Sequence, residues 1–122
     1  MPFLADEVLD FGVNYIDVET TDLHILSAEP ATWANVGSFT LGNKAAPVVS
    51  APQDGDVDGR KVTISAITDG TVTGTGTASH WALVDTAATK LLAAGPLASS
   101  QAVTSGNPFT LTAFDITIPD PA

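Results

Sequence analysis

The sequence predicts a mainly β domain, an antiparallel β-sandwich or jelly-roll-like barrel, preceded by one N-terminal α-helix. Three observations predict it. Beyond residue 20, about seven to nine short strand-like runs are separated by turn signals roughly every 8–12 residues, a spacing typical of sandwiches and barrels. Sixteen threonines are spread through these runs, and a β-branched hydroxyl residue suits the solvent face of a pleated sheet. With 122 residues, 44% of them apolar, and no cysteine, the chain is long enough to bury one core without cross-links. The expected organisation is a helix or arm over residues 1–20 and a single β domain over 21–122.

The helix rests on Leu4, Val8, Phe11 and Tyr15, which fall at i, i+4, i+7 and i+11 and so line one face over residues 4–17. Leu9 and Ile16 widen that stripe. Pro2 suits a helix start, and Asp6 and Glu7 sit in the first turn, where the dipole favours negative charge. Gly12 opposes the helix by about 1 kcal/mol relative to Ala. Such a face packs either on the protein's own sheet or on a neighbouring subunit. Residues 23–27 then form a short β run. Residues 29–37, with Trp33 among them, read as a loop, and 38–41 as a further strand closed by Gly42-Asn43. Pro47 and Pro52 make 45–53 an edge strand or an extended arm, since proline cannot donate to a ladder.

The second half carries the clearest β pattern. In KVTISAIT (61–68), Val62, Ile64 and Ala66 share one face. Asp69-Gly70 reads as a hairpin turn between this run and the Thr-rich 71–77. Residues 81–85 and 90–94 flank a polar turn at 86–89. A strand at 99–104 leads into the turn Ser105-Gly106-Asn107-Pro108. In FTLTAFDITI (109–118), Phe109, Leu111 and Ala113 alternate first, and then Phe114, Ile116 and Ile118. That change of phase at Ala113-Phe114 predicts a bulge or bend.

Composition excludes several functions. Four Lys and Arg against fourteen Asp and Glu give a net charge of −10. This cannot furnish a basic face for nucleic acid, and an anionic membrane surface repels it. Without cysteine there is no thiol catalysis and no Cys-ligated metal. The opening MPFLADEVLD has acids where a secretory signal needs cations, and no apolar run approaches the ~20 residues of a membrane span. The expectation is a soluble product made in the cytoplasm.

No catalytic constellation emerges, so the chain is read as a non-enzyme without a cofactor. His24 and His80 lie in separate strands without ligand spacing, and nothing resembles a nucleophile elbow. The metal candidate is Asp54, Asp56 and Asp58, alternate acids followed by Gly59, which match the front half of a calcium loop. Its twelfth position is Ser65 where a bidentate Glu should close the site, so a solvated turn balanced by Arg60 and Lys61 is the preferred reading. Trp81, amid apolar alternation in HWALVD, reads as a core residue. Trp33 reads as a plug beneath its loop or as a residue offered to a partner or a sugar. The candidate partner-binding set is Leu4, Val8, Phe11, Tyr15 and Trp33.

Several segments in order, LADEVLD (4–10), DGRKVT (58–63), DGTVTGTGTASHWALVD (69–85), LLAAGPL (91–97) and VTSGNPFTLTAFDITIPD (103–120), resemble small virion proteins of tailed bacteriophages encoded among the head and tail structural genes. The likeness runs over nearly the whole chain and lies in turn and strand signatures. It implies a particle component located in the virion, foremost a capsid accessory or decoration protein. The implied partners are the major capsid protein or tail proteins, with the chain itself repeated as a homo-oligomer in a symmetric array. A tail or fibre component is the alternative, and a carbohydrate-binding or adhesin β module is the rival from another class. The resemblance carries no active-site residue onto this chain.

Overall fold

The computed structural model describes residues 14–55 and 59–118. Residues 14–19 are helical (α1). The strands are β1 (Asp22–Leu26), β2 (Thr40–Ala45), β3 (Gln53–Asp54), β4 (Arg60–Ile64), β5 (Ile67–Val72), β6 (Gly76–Asp85), β7 (Lys90–Val103), β8 (Pro108–Leu111) and β9 (Phe114–Ile118). A second helix, α2 (Trp33–Phe39), joins β1 to β2. The fold is mainly β and antiparallel, as the alternation predicts. Sheet A has the order β7-β6-β1-β2-β5-β8, and sheet B has the order β3-β4-β9.

One two-stranded ribbon belongs to both sheets. In sheet B, β4 pairs β9 with Ile64 opposite Phe114. In sheet A, β5 pairs β8 with Ile67 opposite Leu111. The register is therefore continuous across the two unpaired corners, 65–66 on one strand and 112–113 on the other. At each corner the next inward side chain lies three positions on (Ile64 to Ile67, Leu111 to Phe114) where a regular strand would give two. This is the phase change visible at Ala113-Phe114, and its physical meaning is a strand leaving one sheet for the other. The run 61–68 is accordingly two strands, broken at 65–66.

Asp69-Gly70 is not a hairpin turn. Both residues lie within β5, at the point where its register against β8 slips between Ile67 and Gly70. Gly70 is needed there because a Cβ would enter the ring of Phe109. The runs 90–94 and 99–104 belong to one strand that ends at Val103, but its ladder with β6 is interrupted between them: His80 pairs Pro96 and Ala78 pairs Gln101, so residues 97–100 bulge out of register. The turns at 86–89 and 105–108 do fall as predicted, with positive φ at Thr89 (53°) and Gly106 (91°). Pro47 and Pro52 flank an extended arm that bonds along β4, through Ser50 N–H to Thr63 O and Ser65 N–H to Val48 O (both 2.9 Å). That arm ends in the two-residue edge strand β3.

Sheet A is rolled. A flat six-stranded sheet holds its outer strands roughly 24 Å apart, yet the short turn 104–107, closed by Asn107 N–H to Thr104 O at 3.1 Å, joins β7 to β8. Stepping across the ladder from Pro108 through Thr71, Asn43, His24 and Ala82 arrives at Ala94, well before the end of β7. Such a stagger is what curls a sheet toward a barrel. Sheet B covers the inner face, and Leu23, Ile25 and Leu83 meet Val62 and Ile64 in the main core.

The outer face of sheet A carries a second core under α2, where Leu26, Ala82 and Val84 meet Val36. Of the loop expected over 29–37, residues 29–32 are irregular and 33–37 belong to this helix, which also takes 38–39 from the strand expected at 38–41; that strand begins at Thr40 and runs on through Gly42-Asn43 to Ala45. Thr32 caps it by accepting from Asn35 N–H (3.3 Å), and Asn35 Oδ1 in turn accepts from Ala31 N–H (3.0 Å). Burial of Val36 outweighs the poor helix propensity of Gly37.

Two glycine substitutions test this packing in opposite directions. Gly42 lies where a Cβ would run into the Thr71 carbonyl oxygen of the adjacent strand, so Gly42→Ala will lower stability by about 2–3 kcal/mol in denaturant titration. Gly37, within α2, has open space where its Cβ would stand, so Gly37→Ala will raise stability by about 0.5–1 kcal/mol.

Candidate functional site

The predicted partner-binding residues fall in different places. Leu4, Val8 and Phe11 lie outside the described residues. In α1, Ile16 turns in against the main core, whereas Tyr15 (45% exposed) and Val18 (66%) turn outward. Trp33 opens α2 and packs, half-buried, against the outer core beside Phe39 and Leu91. It is held by a helix against the sheet and not by a loop over a cavity. Of the metal candidates, Asp56 and Asp58 lie outside the described residues. Asp54 Oδ1 accepts from Arg60 Nη1 at 2.6 Å across the β3–β4 pair.

The polar groups near the core serve structure. Asp85, 5% exposed, accepts from Ala88 N–H at 3.2 Å and so caps the β6–β7 turn. Asp22 receives Asn43 Nδ2 (3.0 Å) and the Thr86 hydroxyl (3.2 Å), joining β1, β2 and that same turn. His24 Nδ1 stands 2.8 Å from Thr40 Oγ1, and that hydroxyl donates to Gly42 O. Whether the ring nitrogen donates to or accepts from the Thr40 hydroxyl depends on the tautomer. Burial lowers the His24 pKa, against an opposing pull from Asp22. Across sheet B, Asp115 accepts from the Thr63 hydroxyl (2.7 Å) and from Lys61 Nζ (3.0 Å), which together hold its carboxyl below the usual range. His80 bonds the Ser79 hydroxyl (2.8 Å), as a strand residue does.

A concavity lies at the open edge of sheet A. The ladder gives β7 and β8, the outer strands of sheet A, no pairing with each other among the described residues. Between β7 and the corner joining β8 to β9 lies a groove of about 320 Å³. Its apolar part is formed by Trp81 and Phe114, whose rings are tilted 36° with centroids 4.5 Å apart, together with Leu97. Ser99, Gln101 and Thr112 line its rim. Gln101 Nε2 donates to Thr110 O at 2.9 Å and bridges the two strands near the turn that joins them. Gly95 lets β7 pass close to Trp81, since a Cβ there would lie 2.9 Å from the indole Cζ2.

Sequence reasoning placed Trp81 in the core, and one side of the ring does pack there. It missed the groove, because Trp81, Gln101 and Phe114 meet only through the rolling of sheet A and the bend of the ribbon. No local spacing signals that meeting. No family model, curated protein or solved structure matches the chain.

The perturbed groups set two pH windows. The His24 pKa is lower in the folded state than the ordinary 6.5, so its neutral form contributes stability that is lost as pH falls from 6.5 toward the folded value. The melting temperature of the protein will drop over that interval, and His24→Gln will remove this part of the drop. Asp115, lowered from 3.8, contributes above that value and loses its contribution as pH falls through the folded one. Thr63→Val will raise the Asp115 pKa, read by carboxyl NMR titration.

Proposed function

We propose that this chain is a non-enzymatic structural protein of a tailed-bacteriophage particle, a capsid accessory or decoration protein that docks on the major capsid protein. The observation that carries the reading is the orientation of α1. Ile16 anchors the helix to the core while Tyr15 and Val18 stand exposed at i and i+3 on its outward side. Tyr15 and Val18 adjoin on one side of a helix held to the core, and an exposed apolar pair of this kind favours an attachment surface as part of a larger patch. The resemblance of the ordered segments to phage virion proteins supports the same reading. So does the high negative charge, which keeps copies soluble before assembly. Many copies in a symmetric array, each contributing modest area, give durable attachment through avidity.

Two experiments test it. Mass spectrometry of purified particles will find the protein at a copy number that tracks the major capsid protein; a number tracking a tail protein shifts the assignment to the tail, and absence from particles refutes the reading. Tyr15→Ser combined with Val18→Ser will sharply reduce incorporation while changing stability by no more than about 0.5 kcal/mol, as surface substitutions do. Incorporation equal to wild type would place attachment on another face.

A further inference from the structure

Sheet B ends on β9, and that margin carries no further strand among the described residues. Only β4, of the described elements, runs alongside β9, and the two keep one register from Arg60–Ile118 to Ile64–Phe114 without a slip. The other sheet margins differ. β7 leaves register at 97–100, β8 has its Thr110 carbonyl taken by Gln101, and β3 has two residues. We infer that β9 pairs antiparallel with β9 of a second copy of this chain, across a two-fold axis through Ile116, and so joins two copies of sheet B into one. The backbone directions fix which atoms meet. Thr63 O accepts from Ser50 N–H and Thr63 N–H donates to Ser50 Oγ (both 2.9 Å), so Thr63 turns its backbone groups to the arm. These directions alternate along a strand, so Val62 and Ile64 turn theirs to β9, where Ile116 and Phe114 stand opposite. Asp115 and Thr117, both exposed, therefore point N–H and C=O away from β4, where no described backbone group meets them.

Self-complementarity selects the occupant. With Ile116 on the axis, Asp115 of each copy exchanges N–H···O bonds with Thr117 of the other, and Phe114 lies across from Ile118. The outward donors and acceptors of β9 are then all used. The half-buried Phe114, Ile116 and Ile118 extend the apolar inner face from one copy to the next, and each carboxylate stands opposite a hydroxyl. Centring the pair on Asp115 instead sets two carboxylates against each other. Centring it on Thr117 brings Pro119, which has no N–H, opposite Asp115. Asp115 is already paired with Lys61 at 3.0 Å, and Arg60 adjoins on β4, so this margin is less negative than the chain's −10. That total still repels a like copy, and an edge of five residues buries less than the roughly 1,200 Å² of a stable interface. The pairing is accordingly weak and strengthens as salt screens the repulsion.

The test uses the full chain. Sedimentation equilibrium will show monomers in the micromolar range and a dimer forming toward about 1 mM, at lower protein concentration in about 0.5 M salt than in about 0.05 M. Amide hydrogen exchange read by NMR will be fast at Asp115 and Thr117 and slow at Ile116 in dilute protein, and all three will be slow in the dimer. Thr117→Asp sets a carboxylate opposite Asp115 of the other copy but opposite Lys61 in its own sheet. It will weaken the dimer roughly tenfold or more at equal salt. Thr117→Lys, which meets Asp115 of the other copy, will dimerise at least as well as the natural chain. Cooperative melting of both variants will establish that they are folded. The inference is overturned by a monomer at about 1 mM in high salt, or by Asp115 and Thr117 amides already protected in dilute protein, the mark of an edge covered within the chain. It is equally overturned by a dimer that leaves both amides exchanging freely, by one that Thr117→Asp does not weaken, or by loss of the dimer in both variants.

Discussion

The continuous register of the bent ribbon is the constraint from which the architecture follows. Ile64 faces Phe114 and Ile67 faces Leu111, so both strands must leave sheet A at the same level. Two unpaired residues on each strand absorb the turn, and the inward face is kept by stepping three positions. The ribbon thereby ties sheet B to sheet A by covalent chain as well as by packing. It brings Val62, Ile64 and Phe114 over Leu23, Ile25 and Leu83. It also sets the corner at 112–113 beside β7, which creates the groove. A regular strand in place of either corner would turn one half of the inward residues to solvent.

The rolled sheet accounts for the rest. Its outer strands are joined by a short turn and splay apart from it, so the sheet approaches closure without completing the ladder. Gln101 spans the gap at the narrow end, and the Trp81–Phe114 pair fills its depth. Elsewhere the polar side chains stitch elements together: Asp22 across β1, β2 and a turn, Asp85 at that same turn, and Asp115 between β9 and β4. The main core and the outer core share sheet A as their common wall, so β1 and β6 are covered on both faces over part of their length. Leu26 and Leu83, on opposite faces, are both fully buried.

Much of the β architecture was legible because a pleated strand declares itself by alternation, as β4 and β9 do, whereas β6 carries the unbroken apolar run Trp81–Val84 of a strand covered on both faces. The phase change at Ala113-Phe114 announced a bend, although the same event at 65–66 passed unnoticed because Ala66 continues the apolar pattern of Val62 and Ile64. Asp69-Gly70 misled because the dipeptide that favours a turn also suits a bulge, and only the ring of Phe109 across the ladder decides between them. The helix α2 was hidden by Pro30 and Gly37. Its signal was Thr32 with Asn35, a cap that is informative only beside a buried position such as Val36. For the site, Tyr15 and Val18 were within reach of a helical reading, whereas the groove depends on residues distant in sequence.

The ribbon also bears on the order in which the molecule assembles. Its two strands, 60–72 and 108–118, are separated in sequence by the whole β6–β7 hairpin. That hairpin closes through a short turn capped by Asp85 and needs only neighbours along the chain. Pairing of the ribbon therefore closes the long loop that contains this hairpin, and the 104–107 turn carried by the hairpin bonds Val72. That long-range closure falls on β5–β8 of sheet A as much as on β4–β9 of sheet B, whereas β3 and β4 pair locally.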